Sequence, residues 1–203
     1  MTPQKRAFDL LVAISLAIVL APVLAVLLVI LLITEGRPLF YISERMHSPS
    51  RSFGLIKLRT MHIAASNGGV TGGDKAARMS RLHRILRRSR LDEIPQLWNV
   101  IAGHMSLVGP RPPLRVYVAD YPEIYGPVLR NRPGITGLAS LRFHAREEQL
   151  LTRCTTPDQT DATYRRRCIP RKARLDLIYS ARSSLCFDIV LLAQTATKPF
   201  RRY

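Results

Sequence analysis

Asp92 and Glu93 are adjacent carboxylates in a stretch otherwise rich in arginine; Arg84, Arg87, Arg88 and Arg90 precede them. Arg111 follows within a rigid proline turn, Gly109 to Pro113. A carboxylate can act as the nucleophile in covalent phosphoryl chemistry. Guanidinium groups match phosphate oxygens in bidentate forks. With arginines, and a divalent cation, such a site would neutralise a diphosphate under attack. Pro95 favours the first position of a helix and keeps the residue before it out of helical angles, which predicts a helix from Pro95 to Ile101 with Gly103 past its end. The carboxylates then lie just ahead of a helix amino terminus, a favourable place for phosphate. Neighbours on a regular helix point about 100° apart, so both reach one site more easily at the helix start. The simpler alternative is that they only stabilise that start, and the dipeptide alone names no substrate.

The elements that must position these groups fit a chain of 203 residues, one compact domain plus an appendage. The formal net charge of +17 is compatible with nucleic acid, an anionic membrane surface or phosphorylated substrates. Leu39 to Ile42 and Phe53 to Leu58 read as strands, with a turn at Ser48-Pro49-Ser50. Ser66 to Asp74 is a Gly-rich linker or lid, without the Gly-Lys-Ser/Thr of a phosphate loop. Met79, Leu82, Ile85 and Leu86 recur at helical spacing between arginines, predicting a basic amphipathic helix over Ala76 to Arg90, suited to a core face or to an anionic lipid surface. Arg132-Pro133-Gly134 is a second proline turn. Leu175 to Ala196 is helix-compatible, with Leu185, Ile189, Leu192 and Ala193 on one stripe.

Leu10 to Ile33 is an apolar run of about 24 residues, long enough for a bilayer. It is too long for a signal peptide and lacks a clear cleavage site. Pro22 interrupts it, removing a backbone hydrogen bond and bending a helix. Basic residues flank both ends, Lys5 and Arg6 before, Arg37, Arg45 and Arg51 after, so the positive-inside rule assigns no polarity. A spanning helix and a re-entrant one bent at Pro22 both remain open, with re-entry slightly favoured.

Other chemistry is poorly served. Cys154, Cys168 and Cys186 form no CxxC pair and read as free thiols. The five histidines are scattered, without zinc-hydrolase spacing, and His104 reads as surface or packing. Aromatics do not interleave with the basic residues as single-stranded nucleic-acid binding requires.

Several ordered motifs resemble one family, the bacterial sugar transferases, or monotopic polyprenyl-phosphate phosphoglycosyl transferases. They are Lys5 to Asp9, Ser43-Glu44-Arg45, Lys57 to Met61, Arg90 to Val100, Met105 to Pro112 and Arg132 to Ala139. The resemblance implies an α+β, mostly helical fold: a re-entrant membrane anchor over residues 1–36, then a small catalytic domain over 37–203 with amphipathic interfacial helices, on the cytoplasmic face of the bacterial inner membrane. It implies that Asp92 attacks the β-phosphate of a UDP-sugar, releases UMP and passes the sugar phosphate to polyprenyl (undecaprenyl) phosphate, initiating exopolysaccharide, capsule or other glycoconjugate synthesis. Glu93 would orient groups or handle a proton. Mg2+ would be held partly by Asp92. Arg111, with Arg87, Lys57 and Arg59, would contact phosphates, and Pro22 would mark the membrane bend. Implied partners are inner-membrane lipids and downstream glycosyltransferases, and no nucleic acid. The competing reading is a non-enzymatic, membrane-tethered basic protein that binds anionic lipid or a polymer. The chain departs from the family at Ala21, where Ser is common, at His47, where Gly is common, and after Ala139. There, residues 142–171 form a longer basic segment that resembles a subset with Arg146-Glu147-Glu148 and Pro170-Arg171-Lys172, a region for shaping sugar choice or contacting lipid.

Overall fold

The computed structural model describes residues 1–62 and 78–197; the expected Gly-rich segment lies outside them. The fold is α+β and mostly helical, with an apolar amino-terminal helix, as expected. Helix α1 runs Pro3–Thr34, capped by the Thr2 side chain, with Pro22 inside it. It is long and apolar enough to cross a membrane. One stripe, including Ala13, Ala17, Leu20, Leu24 and Leu31, packs on the rest of the protein. Leu11, Ile18, Val19, Val26, Val29 and Ile33 remain exposed, an apolar surface that water penalises and hydrocarbon does not.

Strands β1 (Phe40–Met46) and β2 (Ser52–Leu58) form an antiparallel hairpin, Phe40 opposite Leu58 and Met46 opposite Ser52. Its turn falls at the expected Ser48-Pro49-Ser50. Helix α2 (Arg81–Ser89) is shorter than the sequence suggested, because Ser80 forms a capping box with His83 and fixes the start. A 3-10 turn over Leu91–Glu93 leads to α3 (Gln96–Ile101), for which Pro95 is the cap residue, close to the predicted helix.

The two proline turns meet. Strand β3 (Ser106–Val108) pairs in parallel with β4 (Gly134–Thr136), bringing the backbones of Gly109 and Gly134 together. A Cβ on Gly134 would overlap the amide nitrogen of Gly109, and one on Gly137 the carbonyl oxygen of Gly109. Helices α4 (Arg115–Asp120), α5 (Pro122–Val128), α6 (Leu138–Thr152), α7 (Pro157–Thr163), α8 (Ile169–Ala181) and α9 (Leu185–Thr197) complete the domain, with a π turn over Tyr164–Cys168 before α8. Tyr117, Tyr125, Phe143, Leu151, Tyr164 and Ile169 form one core, and Leu97, Val100, Met105, Leu107 and Tyr179 another. All three cysteines are unpaired.

The carboxyl-terminal expectation is corrected. Leu175 to Ala196 is two helices broken near Arg182, and the face of α9 turned inward carries Asp188 and Leu191 while Ile189 is half exposed. Buried Asp188 accepts from Lys5 of α1 and from the Tyr179 hydroxyl. That ionic contact sets the rotation of α9, because a buried carboxylate left unpaired costs more than an apolar side chain left exposed.

Candidate active site

Asp92 is placed by an unusual backbone. Arg90, just past α2, has φ 62°, left-handed and costly for a residue with a side chain. It turns the chain so that the 91–93 turn presents Asp92 to a cleft of about 1300 Å³. Lys57, Arg59, Arg87, Glu93 and Arg111 line the same cleft, so the structure brings together every residue that the sequence proposed for the site.

The two carboxylates have different environments. Glu93 is clamped: Arg111 Nη2 donates to Oε1 at 2.8 Å, and Arg90 Nη1 lies 3.3 Å from Oε2. Burial pushes Glu93 up, but Arg111 and Arg90 more than compensate and hold it at about 2. A carboxylate held ionised in this way is placed to orient its arginines. The pull is mutual, and Glu93 raises the pKa of Arg111. Asp92 is 6 % exposed, and no hydrogen bond to it is formed among the described residues. Burial, then the Glu93 charge, pushes Asp92 up to about 6, with Lys57, Arg87 and Arg111 opposing. Such a group is still mostly ionised at neutral pH, and the loss of hydration leaves it reactive.

The cations are equally distinct. Lys57 sits over the Tyr41 ring at 5.2 Å, and burial followed by Arg87 lowers it to about 8. Arg87 Nε donates to the buried hydroxyl of Thr60 at 2.8 Å, which aims its fork. Arg59 is largely engaged elsewhere: its Nη2 donates to the carbonyls of Glu35 and Gly36 at 2.6 and 2.9 Å, closing the carboxyl end of α1. It also lines the cleft.

Sequence reasoning missed several contributors. Arg45 lines the cleft and donates to Ser43 and to the Pro112 carbonyl. Burial, then Arg111, lowers it to about 10. Its signal was the Ser43-Glu44-Arg45 motif, which had been assigned no role. The Lys5-to-Asp9 motif is a latch: Arg6 donates to the Val100 and Ile101 carbonyls at the end of α3, and Asp9, fully buried, accepts from Ser106 Oγ at 2.7 Å.

Asp92 suits a small hard cation. Mg2+ typically takes one or two carboxylates and fills its remaining positions with water and substrate phosphate, and Asp92 is the carboxylate not already clamped by arginine. A different group, Glu35, His62 and His83, has ligand atoms within 4.8 Å of one another. There, Nδ1 of His83 accepts from the Ser80 N–H, and Nε2 lies 3.5 Å from Glu35 Oε2 without a hydrogen bond to it. That group fits a helix cap better than a metal site.

A family model described as bacterial sugar transferase matches residues 1–202. The chain is 37 % identical over 144 residues to a UDP-glucose:undecaprenyl-phosphate glucose-1-phosphate transferase of Caulobacter vibrioides, covering 68 % of this chain and 54 % of that protein. It is 35 % identical over 137 residues to an uncharacterized sugar transferase of Bacillus subtilis, covering 68 % and 67 %. A UDP-N-acetylgalactosamine-undecaprenyl-phosphate N-acetylgalactosaminephosphotransferase of Aeromonas hydrophila is 32 % identical over 141 residues, covering 68 % and 33 %. The chain therefore spans about half the length of the first of these and a third of the last.

Proposed function

We propose, since this chain belongs to the bacterial sugar transferase family, that it transfers a sugar 1-phosphate from a UDP-sugar to undecaprenyl phosphate through a covalent intermediate on Asp92. The observation that carries this is the state of Asp92: buried, without a hydrogen-bond donor among the described residues, and facing a cleft ringed by Lys57, Arg87 and Arg111. A passive basic tether has no use for a carboxylate kept that way.

An Asp92 oxygen attacks the β-phosphorus, and the bond from that phosphorus to the oxygen bridging to the α-phosphate breaks. UMP leaves with that oxygen, and the sugar phosphate is an acyl phosphate on Asp92. An oxygen of undecaprenyl phosphate then attacks the same phosphorus, the Asp92–phosphorus bond breaks, and the carboxylate is restored. Arg111 and Arg87 hold phosphate oxygens, Glu93 fixes the Arg111 fork, and Lys57 favours the ionised nucleophile. Mg2+, held partly by Asp92, would supply further charge neutralisation to the diphosphate.

Both ends of α1 are tied to the same domain, Lys5, Arg6 and Asp9 at one end, Glu35 and Gly36 at the other. A straight helix of 32 residues measures about 48 Å, well beyond a hydrocarbon core of about 30 Å. Ends bound to one domain support a re-entrant anchor bent at Pro22, with the catalytic domain at the cytoplasmic face of the inner membrane and the lipid product passed to downstream glycosyltransferases. The test is UMP release from a panel of UDP-sugars with undecaprenyl phosphate and magnesium. Release with one donor that persists in Asp92→Asn refutes the covalent route; sided cysteine labelling of residues 2 and 40 from opposite faces refutes re-entry.

A further inference from the structure

Asp176 of α8 is the unexplained charge in the cleft. It is 7 % exposed, lines the cleft, and its Oδ1 has no hydrogen-bond partner among the described residues. Buried polar atoms are nearly always paired, so an orphaned carboxylate oxygen in a binding cleft marks a place where something else donates. Burial pushes the group up to about 7, and Lys172, one helical turn away, only partly offsets this.

The neighbours narrow the chemistry. Lys172 Nζ is spent on Glu147, at 2.9 and 3.0 Å, and also reaches the Tyr164 hydroxyl at 3.4 Å. The Glu147 and Lys172 motifs, distant in sequence and without an assigned role, are thus joined in one polar wall. That wall lines the same cleft as Arg111 and Asp92. The α1 contribution to the cleft, Leu16 and Leu20, is apolar by contrast. A ligand group beside Arg111 that donates hydrogen bonds and is not itself anionic is what the wall accepts; a third phosphate would meet Glu147 and Asp176. In a sugar diphosphate the ring is bonded directly to the phosphate under attack.

We propose that Asp176, braced by the Lys172–Glu147 pair, accepts a hydrogen bond from a hydroxyl or amide N–H of the donor's sugar ring and so determines which sugar is transferred. This rests on the transferase reading above. The similar proteins differ in the sugar that their names carry, glucose in one and N-acetylgalactosamine in another, so similarity does not make this choice. A site built to bond a polar group rejects the analogue that lacks it far more strongly than an apolar pocket rejects an extra methylene.

The experiment uses the full-length protein in lipid nanodiscs, with the best donor from the UDP-sugar panel and its monodeoxy or des-acetamido analogues. The wild type is expected to lose about 100-fold or more in kcat/KM with one analogue. Asp176→Leu is expected to lose a similar factor on the parent donor but to show no further loss on that same analogue, with UMP affinity unchanged within about twofold. Asp176→Asn, which keeps the shape and one acceptor, is expected to fall between. A loss that multiplies with every analogue alike, or a parallel fall in UMP affinity, overturns the proposal. If Asp176→Leu does not fold, unchanged donor ranking in Asp176→Asn overturns it. A wild type inactive on all donors overturns the transferase reading and this subsite with it, whereas an active wild type with uncoupled Asp176 overturns the subsite alone.

Discussion

Replacing Asp92 by Asn should stabilise the protein while abolishing turnover. The Asp92 carboxyl rises from an ordinary 3.8 to about 6, because burial and the Glu93 charge outweigh Lys57, Arg87 and Arg111. The folded protein therefore binds more protons at this site than the unfolded chain between those two pH values, and stability falls as pH rises through that window. A rise of about two pH units corresponds to about 3 kcal/mol of native-state cost, fully present above pH 6 and absent below pH 3.8. Asn mimics the neutral form and never incurs that cost. For a chain of this size about 3 kcal/mol is about 6–12 °C in Tm. The assay is thermal unfolding of both proteins in one detergent, from pH 4 to pH 8. The gap should open from near zero at pH 4 to its full value at pH 8, with the variant the more stable. A gap equal at both ends, or a less stable variant at pH 8, would refute the claim that the nucleophile is held in an unfavourable ionised state. A cost of this kind is common where function needs a group that folding alone would not retain.

Activity should fall about tenfold per pH unit below about 6 as Asp92 protonates, and Lys57→Met, which removes a cation favouring the ionised form, should move that acid limb of kcat/KM upward; a limb that stays or moves down refutes the assignment. Lys5→Met strands the carboxylate of Asp188, 1 % exposed, with Tyr179 as its remaining side-chain partner. The expected loss is about 3–5 kcal/mol in thermal unfolding, with most of it recovered in Lys5→Met/Asp188→Leu. Gly134→Ala drives a Cβ into the backbone of Gly109 and should cost at least about 1–3 kcal/mol; because Gly109 opens the turn that carries Arg111, KM for the donor should rise with it.

The parts of the site legible in the sequence were those written in local chemistry. Pro95 marked the start of α3, the Gly109–Pro113 and Arg132–Gly134 turns were visible as rigid turns, and Asp92, Glu93 and Arg111 stood out by type. What could not be read was the pairing of distant groups. That the two turns are stitched by β3 and β4 depends on glycines tolerating a backbone approach, a tertiary fact. The division of labour between Asp92 and Glu93 follows from Arg90 adopting a left-handed conformation, which nothing about an arginine announces. That Arg59 Nη2 also binds backbone carbonyls 23 and 24 residues away could not be read from the sequence. The rotation of α9 escaped the apolar pattern because the buried ionic contact of Asp188 to Lys5 outweighed the burial of Ile189.

The double fastening of α1 also bears on how the protein meets its acceptor. A domain hung from a single stalk swivels and nods about one pivot, and presents its opening at every angle. Here the base of the helix is bolted to α3, β3 and α9, and its far end to Arg59 and Ser80. Two mounting points define an axis and remove that rocking. If α1 sits in a bilayer as the proposed re-entrant anchor, the cleft would keep one height and one tilt, and a lipid drifting in the plane would have only two coordinates left to search before meeting it.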